Sequence, residues 1–375
     1  MKLIELHILQ SFPVSCLNRD DVGSPKTAVF GGVQRARISS QCLKRAVRIA
    51  ATETCPNLFK GERTRLIIVP LKDRLETLGI KNDTALEIAK LFCDSLATLD
   101  SDAEKKGVQK VKTMTMFSPL ELDEIARTIK EKVDEGGFEK ISDDTKKREA
   151  QAKKLASAAQ SAIKAGLKDA ADIALFGRMV ATDHSLTLEG ATMFSHAIST
   201  HKASNDVDFW TAVDDRQKED PTVAEDDRAG SGGMGTAEFT SATYYRYVAV
   251  NIDLLFDDNH LGKLDTTQRK AVLGAFIRAA LMAVPGARKN SMNAATLPAE
   301  ILGIYKDKGQ PIQLINAFEN PAQANGKGLA ETSLEKMQDH LDKLKTIWGL
   351  KHVEESWLSQ DGLETFISKL TGHVN

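Results

Sequence analysis

A strict alternation of apolar and polar residues opens the chain and predicts a first β-strand. The even positions from Ile4 to Ile8 are apolar, whereas Glu5 and His7 between them are polar. This period of two gives the strand one apolar and one polar side. The alternation is lost from residue 12 to residue 37, where we expect a long loop. Loops of that length are uncommon in compact domains unless they carry a function.

A helical period follows from about residue 39 to residue 54. Its apolar face comprises Leu43, Ala46, Val47 and Ala50. The opposite face carries hydrogen-bond donors at the i, i+3, i+4 and i+7 positions, namely Gln41, Lys44, Arg45 and Arg48. Ser39 and Ser40 stand at the predicted N-terminus, where free backbone N–H groups and the helix dipole favour an anion such as phosphate.

The rest of the chain predicts a mixture of strands and helices. Strand-like runs cover Arg65–Val69, Val207–Val213, Thr236–Thr240, Thr243–Ile252, Ile301–Tyr305 and Ile312–Phe318. Helical periodicity covers Asp83–Leu99, Thr267–Ala283 and most of Ser333–Gly372. From about residue 101 to residue 170 the composition is rich in Lys, Glu and Ala, which indicates a solvated helical insertion that is not a core element.

Between His196 and Ser241 the chain has a different character, with two strand-like runs joined by an acidic, glycine-rich piece. That piece holds seven acidic and three basic residues and the run Gly230–Gly235. We interpret the whole segment as a protruding β-hairpin with a flexible tip. The glycine spacing resembles a dinucleotide-binding fingerprint, yet no strand precedes it and no helix follows, so that function is not predicted.

The basic residues are concentrated in one segment, which changes the functional picture. The chain has 375 residues, 42% of them hydrophobic, and a net charge of −2, a composition typical of an ordinary soluble protein. Ser11–Ala50 alone holds seven basic and two acidic residues, a net of +5. Its cations outside the helix are Arg19, Lys26, Arg35 and Arg37, beside a Gly31-Gly32 turn that lets backbone approach a ligand. Concentrated positive charge indicates a polyanion with spaced phosphates, and the alternative is an ordinary solvated helix face.

Other chemistries find little support in the sequence. The four cysteines lie 26, 13 and 38 residues apart without a C-x-x-C motif, and the eight histidines are scattered, so we predict no metal site and no cofactor. No apolar run reaches the roughly 20 residues that span a bilayer, and we expect a cytoplasmic protein without membrane contact. Arg288 and Lys289, after a Pro-Gly turn, are either a further phosphate contact or a plain surface pair.

The segment SCLNRDDVGSPKTAVFGGVQRARISSQCLKRAVR, from Ser15 to Arg48, resembles the N-terminal signature of the backbone subunit of type I-E CRISPR Cascade complexes. That subunit is the CasC-type protein of the RAMP superfamily. Further blocks match in the same order: ALFGRM from Ala174, HAISTH from His196, DFWTAVDD from Asp208, GTAEFTSATYYRYVAVN from Gly235 and AVPGARK from Ala283. Residues 98–170 and the last 50 or so carry little of the resemblance.

The resemblance implies an α+β fold described as a hand. A ferredoxin-like or RRM-like core forms the palm, a helical insertion forms the fingers and the β-hairpin forms the thumb. The palm then comprises residues 1–99, 171–202 and 243–330, the fingers residues 100–170 and the thumb residues 203–242, and residues 331–375 form a C-terminal helical segment.

The resemblance also implies a non-catalytic subunit that polymerises along one CRISPR RNA. The homo-oligomeric filament, with other Cascade subunits, presents the guide for pairing with target DNA in antiviral defence. Residues at positions that contact guide phosphates in relatives are Arg19, Lys26, Ser39, Gln41, Lys44 and Arg48. Arg35 and Arg37 have the right charge for the same role, and an inter-subunit contact is their alternative.

In relatives the thumb displaces every sixth base of the guide. Apolar side chains suit this task because they cover the faces of the neighbouring bases without reading base identity. The matching residues are Phe209, Trp210 and Met234 in the thumb and Met179 in the palm. Burial in a hydrophobic core is the alternative for the two aromatic residues.

A metal-dependent RNA nuclease is the alternative function. Related subunits of type III complexes place an acidic residue in the loop after the first strand, and Asp20 and Asp21 lie in such a loop. Two adjacent carboxylates are suited to hold Mg²⁺. They follow Arg19 in an NRDD motif that matches the type I-E pattern, in which no cleavage is assigned, so we expect a scaffold and not an enzyme.

Overall fold

A large antiparallel sheet forms the centre of the protein in the computed structural model, which describes residues 1–136, 138, 141–142, 144–165, 167–180, 186–216, 222 and 231–374. The strands are β1 (Leu3–Ser15), β2 (Thr27–Phe30), β3 (Val33–Ile38), β4 (Glu62–Thr64), β5 (Thr115–Phe117), β6 (Thr192–Phe194), β7 (Ala197–Ser199), β8 (Asp206–Val213), β9 (Ser231–Asn251), β10 (Glu300–Lys306) and β11 (Glu354–Trp357). β4 and β5 pair with each other. The central sheet has the order β11-β10-β1-β9-β7-β3-β2, and β6 and β8 also pair with β9.

Helices cover both faces of this sheet and build the insertion. They are α1 (Ser40–Thr54), α2 (Ile68–Thr77), α3 (Asn82–Leu96), α4 (Ser101–Glu104), α5 (Pro119–Asp134), α6 (Thr145–Ala165), α7 (Ala171–Phe176), α8 (Ile252–Leu255), α9 (Thr266–Met282), α10 (Leu329–Trp348), α11 (Leu358–Asp361) and α12 (Leu363–Thr371). A 3₁₀ turn covers Ile315–Phe318. The α+β fold class predicted from the sequence is confirmed.

The first strand is buried on both sides because helices lie above and below it. Its even residues, from Ile4 to Ile8, pack with side chains of α1 and α9 such as Val47 and Phe276. On the other side Leu9 packs with buried residues of α10. The alternating pattern of β1 therefore marks two different helical layers and not a core side and a solvent side.

Polar residues on the second side of β1 are buried in a hydrogen-bonded network. Glu5 is fully buried, accepts a hydrogen bond from the Tyr247 hydroxyl at 2.6 Å and pairs with Lys306. His7 Nδ1 lies 2.8 Å from the Tyr245 hydroxyl, and burial lowers the pKa of His7 to about 3, which keeps the imidazole neutral. These bonds allow charged and polar side chains to be central in the fold.

The segment at residues 101–170 shares a hydrophobic core with α2 and α3, and the prediction that it is a solvated insertion and not a core element is wrong. In α5 the buried positions Leu122, Ile125, Ala126 and Ile129 recur at helical spacing. They pack with buried residues of α2 and α3, including Leu71. Apart from Glu121, the charged residues of α5 lie mostly on its outer face, so composition alone concealed the apolar stripe.

The basic helix predicted for residues 39–54 is confirmed as α1, and the strand predicted for residues 301–305 is confirmed as β10. Three other local predictions are wrong. The expected loop over residues 12–37 contains the end of β1 and the hairpin of β2 and β3, residues 65–69 lead into α2, and residues 312–318 end in a 3₁₀ turn. Short apolar runs do not distinguish strands from helical turns, because both periods fit a few residues equally well.

Candidate nucleic-acid interface

Helix α1 is held to the sheet by one apolar stripe, which leaves its other faces available. Leu43, Val47 and Ala51 are buried against the core. Ser39 is the N-cap residue, its hydroxyl oxygen accepts a hydrogen bond from the Cys42 N–H at 3.3 Å, and its own N–H donates to Asn18 Oδ1 at 2.9 Å. The cap fixes the start of the helix beside the first loop of the chain.

The N-terminus of α1 has fewer free N–H groups than the sequence suggested. Besides the cap at Ser39, the Ser40 N–H donates to His196 Nδ1 at 3.0 Å. Ser39 itself is only 7% exposed. His196 is therefore a residue of this region that sequence reasoning missed, since only the pairing of β7 with β3 brings it close to α1.

Four donors predicted to share one face of α1 differ in their exposure. Gln41 and Arg45 are exposed, whereas Lys44 and Arg48 are half-buried. The Lys44 ammonium lies 5.5 Å from the centre of the Phe194 ring, and burial lowers the pKa of Lys44. A cation over an aromatic face is held in one direction, so Lys44 is preorganised for an anionic partner.

Arg48 lies near a carboxylate that faces the interior. Burial raises the pKa of Asp172 to about 6, and the positive charge of Arg48 acts in the opposite direction. Asp172 Oδ1 accepts hydrogen bonds from the Gly61 and Ile173 N–H groups, each at 3.1 Å. The charge of Arg48 thus favours the ionised form of Asp172, although the two side chains form no close ion pair.

The first loop presents Arg19 and Lys26 on a small backbone frame. The two residues flank a turn in which Lys26 N donates to the Asn18 carbonyl at 2.9 Å. Asp20 Oδ1 accepts hydrogen bonds from the N–H groups of Val22 and Ser24, at 3.1 and 2.9 Å. Arg19 is exposed and Lys26 is half-buried. The carboxylate of Asp20 therefore shapes this loop.

Shared neighbours show that the predicted phosphate contacts lie together. Two thiols have cations from different segments as neighbours. Burial raises the pKa of Cys16, and the nearby charges of Arg288 and Arg19 oppose this shift. Burial also raises the pKa of Cys42, and there the charges of Lys26 and Arg45 oppose the shift. Arg45 and Lys289 also line one cleft of about 600 Å³ between α1 and residues 283–289. Residues of the first loop and of the segment at 283–289 thus lie beside α1, including the pair at 288 and 289.

Arg35 does not belong to this surface, contrary to the sequence-based expectation. It is 0% exposed, and its guanidinium donates to the carbonyls of Phe30 at 3.1 Å, Ser199 at 3.1 Å and Phe318 at 2.7 Å. Arg37 is half-buried and donates from Nε to the Thr27 carbonyl at 3.0 Å. Arg35 is a structural residue that ties the β2–β3 hairpin to the rest of the fold.

The hairpin of β8 and β9 exposes three apolar side chains. This exposure contradicts the alternative interpretation, in which its two aromatic residues are buried in a hydrophobic core. Phe209 is 62% exposed, Trp210 48% and Met234 65%. Phe209 pairs with Thr236, and Thr211 pairs with Met234, so Phe209 and Met234 are diagonal neighbours on one face. Trp210 pairs with Gly235 and lies on the opposite face. The acidic tip predicted between the strands falls largely on residues 217–221 and 223–230, which lie outside the described residues.

Met179 is 79% exposed on a loop that is anchored by its neighbour. The Arg178 guanidinium donates to Glu121 Oε1 at 2.7 Å and to the carbonyls of Met116 and Leu186 at 3.1 and 3.0 Å. Arg178 and Glu121 are both buried. This buried ion pair links the loop of Met179 to the insertion, and sequence reasoning missed it because the partners are 57 residues apart.

The two acidic residues considered for metal binding are exposed, and one is already hydrogen-bonded to its own loop. Within the described ranges, no group of three or more His, Cys, Asp or Glu side chains is arranged to hold a metal ion. Among the same residues, no helix is both long and apolar enough to cross a membrane.

Comparisons with known proteins agree with this architecture. A chain of a "CRISPR RNA-guided surveillance complex, pre-nicking" is 30% identical, with a TM-score of 0.73 over 94% of this chain and 90% of that chain. A chain of a second CRISPR RNA-guided surveillance complex is 24% identical, with a TM-score of 0.67 over 95% and 91%, and shows the fold. No curated protein sequence matches the chain. The CT1975-like protein family matches residues 4–371, and the protein therefore belongs to that family.

Proposed function

We propose that the protein is the guide-RNA-binding backbone subunit of a type I-E, Cascade-type CRISPR complex. The observation that carries the proposal is a cluster of basic side chains without acidic partners. In the described part of the chain, ion pairs within 4.0 Å are found for many surface lysines and arginines but for none of Arg19, Lys26, Arg37, Lys44, Arg45, Arg48, Arg288 and Lys289. Unpaired cations from separate segments at one place favour a chain of phosphates as the missing partner.

The exposed apolar hairpin supports the second part of the proposal, displacement of one base per subunit. Phe209 and Met234 share a face of a two-stranded ribbon and are mostly exposed, a state that costs solvation free energy without a partner. Nucleobases provide flat apolar faces that such side chains cover. We assign Phe209, Trp210, Met234 and Met179 to separation of the displaced base from its neighbours.

The salt dependence of RNA binding tests the phosphate contacts directly. Each phosphate neutralised on a single strand contributes roughly 0.7 to the slope of log affinity against log salt concentration. Lys44→Ala is expected to reduce that slope by about 0.7 per protomer, whatever the RNA sequence. Lys105→Ala removes the same charge from a lysine whose side chain is 78% exposed in the insertion, and it is expected to leave the slope unchanged. Equal slopes for wild type and Lys44→Ala would remove Lys44 from the phosphate contacts.

A cleavage assay tests the non-catalytic part of the proposal. RNA is incubated with the protein and Mg²⁺, and the products are compared with those of the double variant Asp20→Ala/Asp21→Ala. We expect no specific products from either protein, because Asp20 is used by its own loop. Specific cuts that disappear in the double variant would establish the nuclease and end the scaffold proposal.

Assembly follows from the same proposal. Several copies would bind one CRISPR RNA as a filament in the cytoplasm, with other complex subunits at its ends, and would leave the bases free to pair with target DNA. Purification of the protein together with its RNA, followed by sizing of both, is expected to give a protein-to-RNA length ratio of one copy per six nucleotides. A one-to-one complex with RNA of any length would contradict the filament.

A further inference from the structure

His196 stands at the edge of the basic surface in a fixed tautomer. The Ser40 N–H donates to its Nδ1 at 3.0 Å, so Nδ1 carries no proton and the neutral ring has its proton on Nε2. The residue is exposed, and in the described part of the chain no hydrogen bond reaches Nε2. The ring therefore offers one N–H donor outward.

The surroundings of His196 keep it uncharged and direct it to an anionic partner. Partial burial and the positive charges of Arg37 and Lys26 lower the pKa of His196. His196 directly precedes β7, which pairs with β3 at Arg37. Phe194, two residues before His196, lies under the Lys44 ammonium. His196 is thus a neutral donor among three cations that have no ion-pair partner in the described residues.

Resting on the proposed function, we infer that His196 is a further RNA-binding residue whose Nε2–H donates to an oxygen of the guide backbone. A neutral donor at this place adds direction to a surface whose cations act mainly through charge. The helix cap and the RNA contact use the two nitrogens of one ring. The position of the His196 ring therefore affects both RNA binding and the N-terminus of α1.

A neutral donor has a signature that a lysine lacks. Loss of one hydrogen bond to a charged acceptor lowers the affinity for RNA roughly tenfold or more. A neutral donor neutralises no phosphate, so its loss does not change the number of counterions that RNA binding releases. His196→Ala is therefore expected to weaken binding of a six-nucleotide RNA about tenfold at every salt concentration, with the slope unchanged. Lys26→Ala is the matched comparison and should reduce the slope by about 0.7. His196→Gln, which has both an acceptor and a donor, is expected to recover most of the affinity.

Two further measurements distinguish an RNA contact from a purely structural cap. In ¹⁵N-histidine NMR spectra, the Nε2–H signal of His196 is expected to shift when the hexanucleotide is added, and the melting temperature reports the loss of the cap separately. DNA of the same sequence identifies the acceptor: an equal loss of affinity in His196→Ala indicates phosphate, and a smaller loss indicates the 2′-hydroxyl.

The outcomes separate this inference from the function on which it rests. A wild-type protein that does not bind RNA would overturn the proposed function. RNA binding that is equal in wild type and His196→Ala, or an Nε2–H signal that RNA does not shift, would overturn the role of His196 alone.

Discussion

Replacement of Arg178 by methionine is expected to loosen the insertion from the loop that carries Met179. The Arg178 side chain is 1% exposed and that of Glu121 3%, so both charges are removed from water. Removal of one partner of a buried ion pair costs about 3–5 kcal/mol, because the other charge stays buried. In Arg178→Met the Glu121 carboxylate keeps the hydrogen bond that it accepts from the Ser118 N–H at 3.0 Å, but it no longer has a cation as a partner.

Hydrogen exchange of the α5 amides measures this cost locally, without assuming that a protein of 375 residues unfolds in one step. Since each 1.4 kcal/mol corresponds to a factor of ten, protection of α5 should fall between about a hundredfold and a few thousandfold. Arg127→Met is the matched control, because Arg127 lies on the same helix in an exposed pair with Glu124. Its expected cost is below about 1 kcal/mol.

The double variant Arg178→Met/Glu121→Leu decides whether an unpaired charge is the cause. It removes both buried charges and should restore the part of the protection that the unpaired charge had removed. The lost capping box with Ser118 costs about 1 kcal/mol, and the carbonyls of Met116 and Leu186 still lack the Arg178 donor. If the single variant exchanged no faster than Arg127→Met, the link between the insertion and Met179 would not depend on this pair. If the double variant exchanged as fast as the single one, the loss would come from packing or from the carbonyls of Met116 and Leu186, which lose the Arg178 donor in both variants.

Three further predictions follow from exposure, close contact and burial. Trp210→Ala should keep the melting temperature within about 2 °C, since Trp210 is half exposed, and should abolish the regular protection of RNA; a collapsed fold would refute its exposed role. In Gly235→Ala the new Cβ would lie 2.8 Å from Trp210 Cζ2, so we expect altered tryptophan fluorescence with unchanged circular dichroism, and an unchanged emission spectrum would contradict this. Burial raises the pKa of Asp172 from 3.8 to about 6, so the folded state binds the proton more tightly than the unfolded state, and stability falls as the pH rises through this range. Asp172→Asn should reduce that fall, and identical profiles of melting temperature against pH for the wild type and the variant would contradict this prediction.

Local patterns in the sequence predicted the elements whose residues lie close together along the chain. The helix at residues 39–54 and the two strands of the hairpin follow from periods of 3.6 and 2 that persist over many residues. The clustering of basic residues in Ser11–Ala50 was also recognised without the structure, because it follows from counting charges along the sequence. These signals located the basic helix and the hairpin, whereas the α+β class was predicted from the resemblance to a known family.

Long-range contacts account for what the sequence did not show. Arg35 has the same charge and neighbourhood in the sequence as Arg37, yet its guanidinium is enclosed by carbonyls up to 284 residues away. His196 is 156 residues from Ser40, and only strand pairing brings the ring to the helix. Periodicity describes which face of an element is apolar, but it carries no information on which distant backbone groups a polar side chain meets.

The continuity of β9 explains how an exposed apolar hairpin is kept in place. β9 pairs with β8 over Ser231–Phe239 and with β1 over Thr240–Asn251, in the most buried part of the sheet. At about 3.4 Å per residue, the portion paired with β8 extends roughly 30 Å from the portion paired with β1. A two-stranded ribbon alone is marginally stable in water, but one strand of this ribbon is also a central strand of the core. The free energy of the core thus holds Phe209 and Met234 in register, although neither side chain gains from burial in the free protein.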